Sequence, residues 1–196
     1  MPELLEAIAA QPRVALFIVD SKPPKTDSAK VLRTAGRTVI ELLEQHLFRK
    51  GYAGKVIVGT SSLKNVAYLE GAAEAARTSE FAKRIYFSID EEKNVERVVN
   101  RLSKFTNQSA YGMGISAIAP NSYRKEIRAA AKLKEQKKVA MVYIWTIDRT
   151  SSMLDYIQDG ADGVMTNEPS RLARLVGATH GVRLAMPSDE LQVAVK

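Results

Sequence analysis

Short apolar runs rich in β-branched residues alternate along the chain with longer stretches whose apolar positions recur every three to four residues. Residues 13–20 are apolar nearly throughout and read as a strand buried on both faces. Residues 27–50 follow with Val31, Ala35, Val39, Leu42, Leu43 and Leu47 at helical spacing, and Gly51 ends the pattern. The cycle then repeats. It predicts a strand at 55–59, an Ala-rich helix at 62–78, and a strand at 84–89. A helix at 91–105 turns Val95, Val98, Val99 and Leu102 inward, and a Gly-containing strand follows at 109–119. A helix at 121–138 is opened by an Asn or Ser cap, and 139–146 is the most strongly apolar strand. A helix at 150–158 ends at Gly160, a sixth strand covers 161–166, and a last helix at 169–176 has Pro in its first turn.

Six strands, each followed by a helix, predict an α/β chain with a parallel sheet covered by helices. Two architectures satisfy that pattern: an open doubly wound sheet, or part of a (β/α)8 barrel. An open nucleotide-binding sheet needs a glycine-rich turn after its first strand. The turn here is Asp20-Ser21-Lys22-Pro23-Pro24, which cannot cradle a pyrophosphate, and the isolated Gly112-Met113-Gly114 is too short a signal. The barrel is therefore the expected fold, with six of its eight units present in one domain over residues 1–196.

Composition narrows the chemistry. The 196 residues are 45% hydrophobic and 26% charged, which suits a packed core. The absence of Cys excludes disulfides, zinc-thiolate sites and thiol nucleophiles, and two His exclude a His-rich metal cluster. No apolar run reaches the roughly 18 residues a membrane-spanning helix needs. The opening Met1-Pro2-Glu3-Leu4-Leu5-Glu6 is acidic and amphipathic, unlike a signal peptide, so the chain by itself reads as cytoplasmic. The net charge of +7 is uneven. The stretch 124–138 carries Arg124, Lys125, Arg128, Lys132, Lys134, Lys137 and Lys138 against Glu126 and Glu135. Such a run attracts phosphate or an anionic membrane surface, or is simply a solvated helix face. No aromatic residues interleave with it, so nucleic acid is not an expected partner.

In a barrel, chemistry sits at the C-terminal ends of the strands. The first strand ends in Asp20 and Lys22, which share a face by the period of two. A carboxylate there can hold an oxygen-preferring cation and an ammonium can meet a phosphate, or the two simply close the strand end as an ion pair. Thr60-Ser61-Ser62 and Asp90 are expected as helix caps. Gly112 and Gly114 let a substrate approach the backbone, or serve packing. Tyr143 and Trp145 share a face and can bind a choline-like cation, wall a pocket, or belong to the core. Asn167 can donate to a phosphoryl oxygen or cap the last helix. His46 looks exposed within the first long helix, and neither it nor His180 lies at a strand end.

These residues match a known pattern. Val142-Tyr143-Ile144-Trp145-Thr146-Ile147-Asp148 with Gly160-Ala161-Asp162-Gly163-Val164-Met165-Thr166-Asn167-Glu168-Pro169 resembles the last two strands of the sphingomyelinase D phospholipases, which group with the glycerophosphodiester phosphodiesterases. Leu16-Phe17-Ile18-Val19-Asp20-Ser21-Lys22 resembles the strand of that family that carries an acidic metal ligand and a Lys two residues on. Arg183-Leu184-Ala185 with Asp189 faintly resembles the start of the family's tail.

The resemblance implies a Mg2+-dependent barrel that cleaves a phospholipid or glycerophosphodiester. Asp20 would match a metal ligand and Lys22 the phosphate-facing lysine. Tyr143, Trp145 and Asn167 would match substrate-pocket residues, and Asp148 the acid after the Trp-Thr motif. Complete family members are often secreted. Tyr86 and Tyr111-Gly112 depart from the polar contacts expected there. The larger departure is at the front: the strand with the Asp-x-Lys motif is the family's third, and the first two, with both catalytic His and the first two carboxylates, have no counterpart. The chain is therefore expected to be inactive alone, with an incomplete magnesium site and open sheet edges that favour self-association. The competing expectation is a non-catalytic protein that binds anionic lipid or phosphate.

Overall fold

A computed structural model describes residues 1–23, 26, 28–90, 93–115, 119 and 121–191. Its strands are β1 (Leu16–Ser21), β2 (Lys55–Thr60), β3 (Ile85–Ile89), β4 (Ser109–Gly114), β5 (Met141–Trp145) and β6 (Gly163–Val164). All neighbours pair in parallel and the sheet order is β1-β2-β3-β4-β5-β6. An open doubly wound sheet reverses direction at a switch point. This order never reverses, which is the topology of a barrel wall. Side chains from β1, β5 and β6 line one cavity, so the sheet curls until its two edges face a common hollow.

Helices α1 (Pro2–Ala9), α2 (Ala29–His46), α3 (Val66–Arg77), α4 (Val95–Leu102), α5 (Arg124–Glu135), α6 (Thr150–Gln158) and α7 (Pro169–Ala178) connect the strands. The strand period of two splits the core into two layers. Outward residues such as Val56, Val58, Phe87, Tyr111, Val142 and Ile144 pack against the helices. Inward residues Ile57, Tyr86, Ala110, Met141 and Tyr143 form a second cluster, with Leu16 and Ile18 half-buried beside it. The incomplete inner wall leaves β1 half-exposed, whereas β2 and β3 are almost wholly buried.

Most element boundaries follow local chemistry. Ser28 caps α2 by accepting from the Val31 backbone N–H, and Asn94 caps α4 through Arg97. Gly51 and Gly160 take the positive φ that ends their segments. The buried face of α2 departs from expectation in its first half: Leu43, and Leu47 just past the helix, are buried as expected, but Leu32, Gly36 and Ile40 take the innermost positions and Val31 is exposed. The cause is α3, which approaches so closely that a Cβ on Gly36 would lie 2.0 Å from the Tyr68 carbonyl oxygen. A Cβ on Gly71 would lie 2.2 Å from that of Arg33. Arg33 and Arg101 both reach Glu70 at 2.6 and 2.8 Å, and Arg37 reaches Glu74 at 2.7 Å, lacing α2, α3 and α4 together.

The basic stretch is also less open than its sequence implies. Arg124 and Arg128 pair with Asp159, and Lys134 pairs with Asp162, so three of its seven cations are held against the α6 end of the molecule. The predicted Asn or Ser cap is replaced by Tyr123 in a left-handed conformation with no side-chain cap. Helix starts predicted at 27 and 91, Pro24, and the predicted strand extension through 116–118 lie outside the described residues. No described helix is long and apolar enough to cross a membrane.

After α7 the chain runs beneath the N-terminal ends of the strands. The Lys55 ammonium donates to the Pro187 carbonyl at 2.9 Å, and to that of Asp189, and Leu191 packs on the inward cluster. Asp189 accepts from both Arg183 guanidinium nitrogens at 2.7 and 2.8 Å and from the Met186 N–H at 2.8 Å. These bonds favour the carboxylate, and the Arg183 bonds, the largest cause, lead in lowering its pKa to about 2.

Two tests follow from these contacts. Gly36→Ala and Gly71→Ala should each destabilise the chain by roughly 1–3 kcal/mol in urea unfolding, because backbone must move to admit the methyl. Gly177→Ala in α7, with open space around it, should instead be neutral or stabilising by up to about 1 kcal/mol. The tail clip should contribute fully above the ordinary Asp range and be lost as pH falls through about 2. A carboxyl NMR titration of Asp189 with a midpoint near 4 would contradict that assignment.

Candidate functional site

The C-terminal ends of the strands form one rim of the hollow. Parallel register places Asp20 of β1 beside Gly59 of β2, Gly59 beside Ser88 of β3, and Ser88 beside Ala110 of β4. Across β4 and β5, Gly112 pairs with Tyr143 and Gly114 with Trp145. The alternation that makes Tyr86 and Ser88 inward also makes Asp90 inward.

The centre of the site is a buried polar cluster. The Tyr143 hydroxyl donates to Asp90 Oδ1 at 2.7 Å and lies 2.9 Å from Ser88 Oγ. Asp90 and Ser88 are 5% and 0% exposed, so both depend on such partners. Tyr143 sits on β5 and Asp90 just past β3, so the phenol must cross β4 to reach it. Gly112 makes that possible: a Cβ there would come within 2.3 Å of Tyr143 Cζ and 2.6 Å of Asp90 Oδ1. Gly59 similarly clears Ser88 Oγ, and Gly114 clears the six-membered ring of Trp145. The glycines therefore accommodate the protein's own aromatic and hydroxyl groups rather than an approaching substrate. Burial first, and the Asp90 charge second, push the Tyr143 pKa well up, so it remains a neutral donor.

Asp90 is the residue sequence reasoning misplaced. It was expected to cap the following helix, but Asn94 caps α4 and Asp90 points into the barrel. The usable signal was the period of two from Tyr86 through Ser88.

The predicted site residues fall into two groups. Asp20 and Lys22 form an exposed ion pair, with the ammonium 2.8 and 2.7 Å from the two carboxylate oxygens. Asp20 also acts electrostatically on Tyr143, so this pair adjoins the buried cluster. Asp148 and Asn167 form the second group. Asp148 Oδ1 accepts from Thr166 Oγ1 at 2.9 Å and from the Asn167 backbone N–H at 2.8 Å, and Oδ2 accepts from Asn167 Nδ2 at 3.0 Å. Those bonds, led by the Asn167 side chain, hold the Asp148 pKa below its ordinary value. Asp148 thus fixes the loop after β6 and leaves Asn167 on the exposed rim. Trp145 stands between the groups, partly exposed, with its indole Nε1 buried and without a hydrogen-bond partner.

His46 does not look outward as expected. It is half-buried and bonded to Glu6 at 2.9 Å, tying α2 to α1 on the helical layer. His180 is exposed beyond α7. Neither lies at a strand end, and burial keeps Tyr143 neutral.

The magnesium implied by the resemblance is not matched by these donors. No group of three His, Asp or Glu among the described residues could hold a metal ion, and both Asp20 oxygens already face an ammonium. A hard cation needs several oxygen ligands, and Asp20 offers one carboxylate of such a set.

Comparison with known proteins bears on the family and the fold. The family model "Dermonecrotic toxin SPH" matches residues 6–191. Dermonecrotic toxin LapSicTox-alphaII1 of Loxosceles apachea is 23% identical over 172 residues, covering 83% of this chain and 63% of the relative. Dermonecrotic toxin Hl-PLD1 of Hemiscorpius lepturus is 25% identical over 189 residues, covering 89% of this chain and 57% of the relative. The chain thus spans less than two thirds of the length of these relatives. A solved glycerophosphodiester phosphodiesterase from Parabacteroides distasonis superposes with a TM-score of 0.53 at 15% identity, covering 83% of this chain and 57% of that one. That likeness shows a shared fold, in which this chain is a partial β/α barrel. From the match across nearly its whole length, the chain belongs to the dermonecrotic toxin SPH family.

Proposed function

We propose that this chain carries the substrate-binding part of a Mg2+-dependent phosphodiesterase of the sphingomyelinase D type, acting in complete form on a phospholipid or glycerophosphodiester. The family match over residues 6–191, together with Asp20, Lys22, Asp90, Tyr143 and Trp145 at strand ends of one barrel wall, is the observation that supports it. In this reading Lys22 meets the phosphodiester charge and Asp20 keeps the ammonium at the rim until substrate arrives. Trp145, whose ring is partly exposed, offers that ring to an apolar or cationic group of the substrate. Asp90 and Ser88 do not touch substrate; they fix the Tyr143 ring and so the shape of the floor. Asp148 sets the position of Asn167, whose amide can donate to a second oxygen.

Hydrolysis requires a base or nucleophile in contact with the reacting atoms. With His46 tied to Glu6, and with Asp20 held by Lys22 and short of a metal-ligand set, the chain alone is expected to bind without turning substrate over. This is also the sense in which the alternative reading, a non-catalytic binder of anionic lipid or phosphate, describes the isolated chain. Lys125, Lys132, Lys137 and Lys138 of the 124–138 stretch do not pair with Asp159 or Asp162, and they can add electrostatic attraction to an anionic surface.

Assay of the 196-residue chain on sphingomyelin and on glycerophosphocholine with Mg2+ should give no turnover above background. Robust hydrolysis would overturn this division of labour. Co-sedimentation with sphingomyelin vesicles should detect binding that Lys22→Ala weakens by about 3- to 10-fold, a loss of roughly 0.7–1.4 kcal/mol. Tyr143→Phe should lower stability by about 1–3 kcal/mol in urea unfolding, because Asp90 loses a donor in a buried site. Unchanged stability would show that the Tyr143–Asp90 bond is not a structural support.

A further inference from the structure

The strand period of two continues below the inward apolar cluster. Two residues before Ile57 on β2 stands Lys55, and two before Ala110 stands Gln108, so both side chains lie on the inner face with Tyr86 of β3 between them. They line a chamber of about 610 Å3 at the N-terminal ends of the strands, and the tail at Ser188, Glu190 and Leu191 forms its other wall. The backbone of Gln108 is held on both sides. Its N–H donates to Thr106 Oγ1 at 3.0 Å, and its carbonyl accepts from the Phe87 N–H at 2.8 Å. The side-chain amide is not held. It offsets part of the rise that burial imposes on the Tyr86 pKa, yet Nε2 is buried and meets no acceptor at hydrogen-bond distance and angle. Lys55 is partly satisfied: an ammonium has three donors, and the tail carbonyls of Pro187 and Asp189 take two. Lys83 is exposed at the edge of the chamber, and Arg84 adds its charge from the wall, where the Tyr52 and Gly54 carbonyls hold it. Against these three cations the tail side of the lining brings one carboxylate, that of Glu190. A buried donor without an acceptor, beside surplus positive charge, is matched by an anion with several acceptor oxygens.

We propose that this chamber is a ligand site, at the end of the barrel wall opposite the rim, for a small molecule that carries a phosphate or sulfate group on an apolar body. The oxyanion accepts from Gln108 Nε2, from the third Lys55 donor and from the Lys83 ammonium, and bonds of this charge-assisted kind are the strong ones. The apolar body follows from the volume. A bare oxyanion needs far less room, the chamber falls within the roughly 300–1,000 Å3 of small-molecule pockets, and Ala53, Leu191 and the Tyr86 ring give it apolar wall. Because Ser188 and Glu190 belong to the tail, an occupant of the chamber touches sheet and tail together. None of these residues lies at the C-terminal ends of the strands. The inference is therefore independent of the phosphodiesterase reading, and either can fail without the other.

The test titrates the full chain carrying Lys22→Ala, which removes the ammonium at the rim, with phenyl phosphate at fixed ionic strength, and follows NMR shifts. The Gln108 side-chain amide and the backbone amides of residues 188–191 should shift saturably, with a Kd of about 1 mM or tighter. Inorganic phosphate should move the same signals with at least about threefold weaker affinity, since it lacks the apolar body. Adding Lys83→Ala should weaken phenyl phosphate binding by about 3- to 10-fold. Gln108→Glu, which sets a carboxylate where the donor stands, should abolish it. Lys30→Ala, exposed on α2 away from the chamber, should leave it unchanged. Absence of a saturable shift at Gln108 and the tail would overturn the proposal. So would equal weakening by Lys30→Ala and Lys83→Ala, which marks general charge attraction. Inorganic phosphate binding as tightly as phenyl phosphate would overturn the assigned class of ligand.

Discussion

The inner face of a curled parallel sheet has nothing to pack against except itself. Every strand here presents alternate side chains to that face, and six strands must fill a space that eight would enclose. Ile57, Tyr86, Ala110, Met141 and Tyr143 meet the requirement near the middle of the wall. Toward the edges Leu16 and Ile18 remain half-buried, and Leu191 of the tail is drawn in from below. The layer of helices outside has no such shortage, and its largest close approach, α2 on α3, is set by two glycines. The molecule is therefore densely packed outside and incompletely packed inside, and its chemistry-bearing residues lie where the packing gives out.

That distribution explains how the site is built. A tyrosine on β5, a carboxylate after β3 and a hydroxyl on β3 come together only because β4 between them carries glycine at position 112. The hydrogen bond is worth little by itself, since net contributions are about 1 kcal/mol, but a buried carboxylate deprived of a donor costs more. So the cluster locks the Tyr143 ring, and the ring gives the hollow its floor. Above it, Asp20 and Lys22 form a charged pair in contact with water, where the two charges offset each other at small net gain. The Asp148–Asn167 bonds do similar work on the far side by fixing a loop that no strand ladder extends to.

Ion pairing also moderates the reading of the chain as a basic protein. The stretch from Arg124 to Lys138 has a net charge that suggests an open cationic face, yet acids at the end of α6 and before β6 meet several of its cations. Sequence distance hides this, because Asp159 and Asp162 lie more than twenty residues away and reach α5 only after the intervening strand has folded. Charge counted along a helix measures what it carries; the charge it shows depends on the neighbour it packs against.

The alternation of apolar periods determined the α/β class, the six units and the absence of a glycine-rich phosphate turn, because those are local properties of each segment. Periodicity of two placed Asp20 with Lys22 and Tyr143 with Trp145 correctly on shared faces. It would have placed Asp90 with them too, had its nearness to a helix start not favoured a capping role. What sequence could not fix was phase and partnership. The first half of α2 buries Leu32, Gly36 and Ile40 rather than Val31 because α3 arrives against Gly36, and His46 is half-covered because Glu6 of α1 lies beside it. Gly112 faces Tyr143 rather than a substrate for the same reason: which atom occupies the space above a glycine is decided by the strand next to it, and strand neighbours exist only once the sheet has formed.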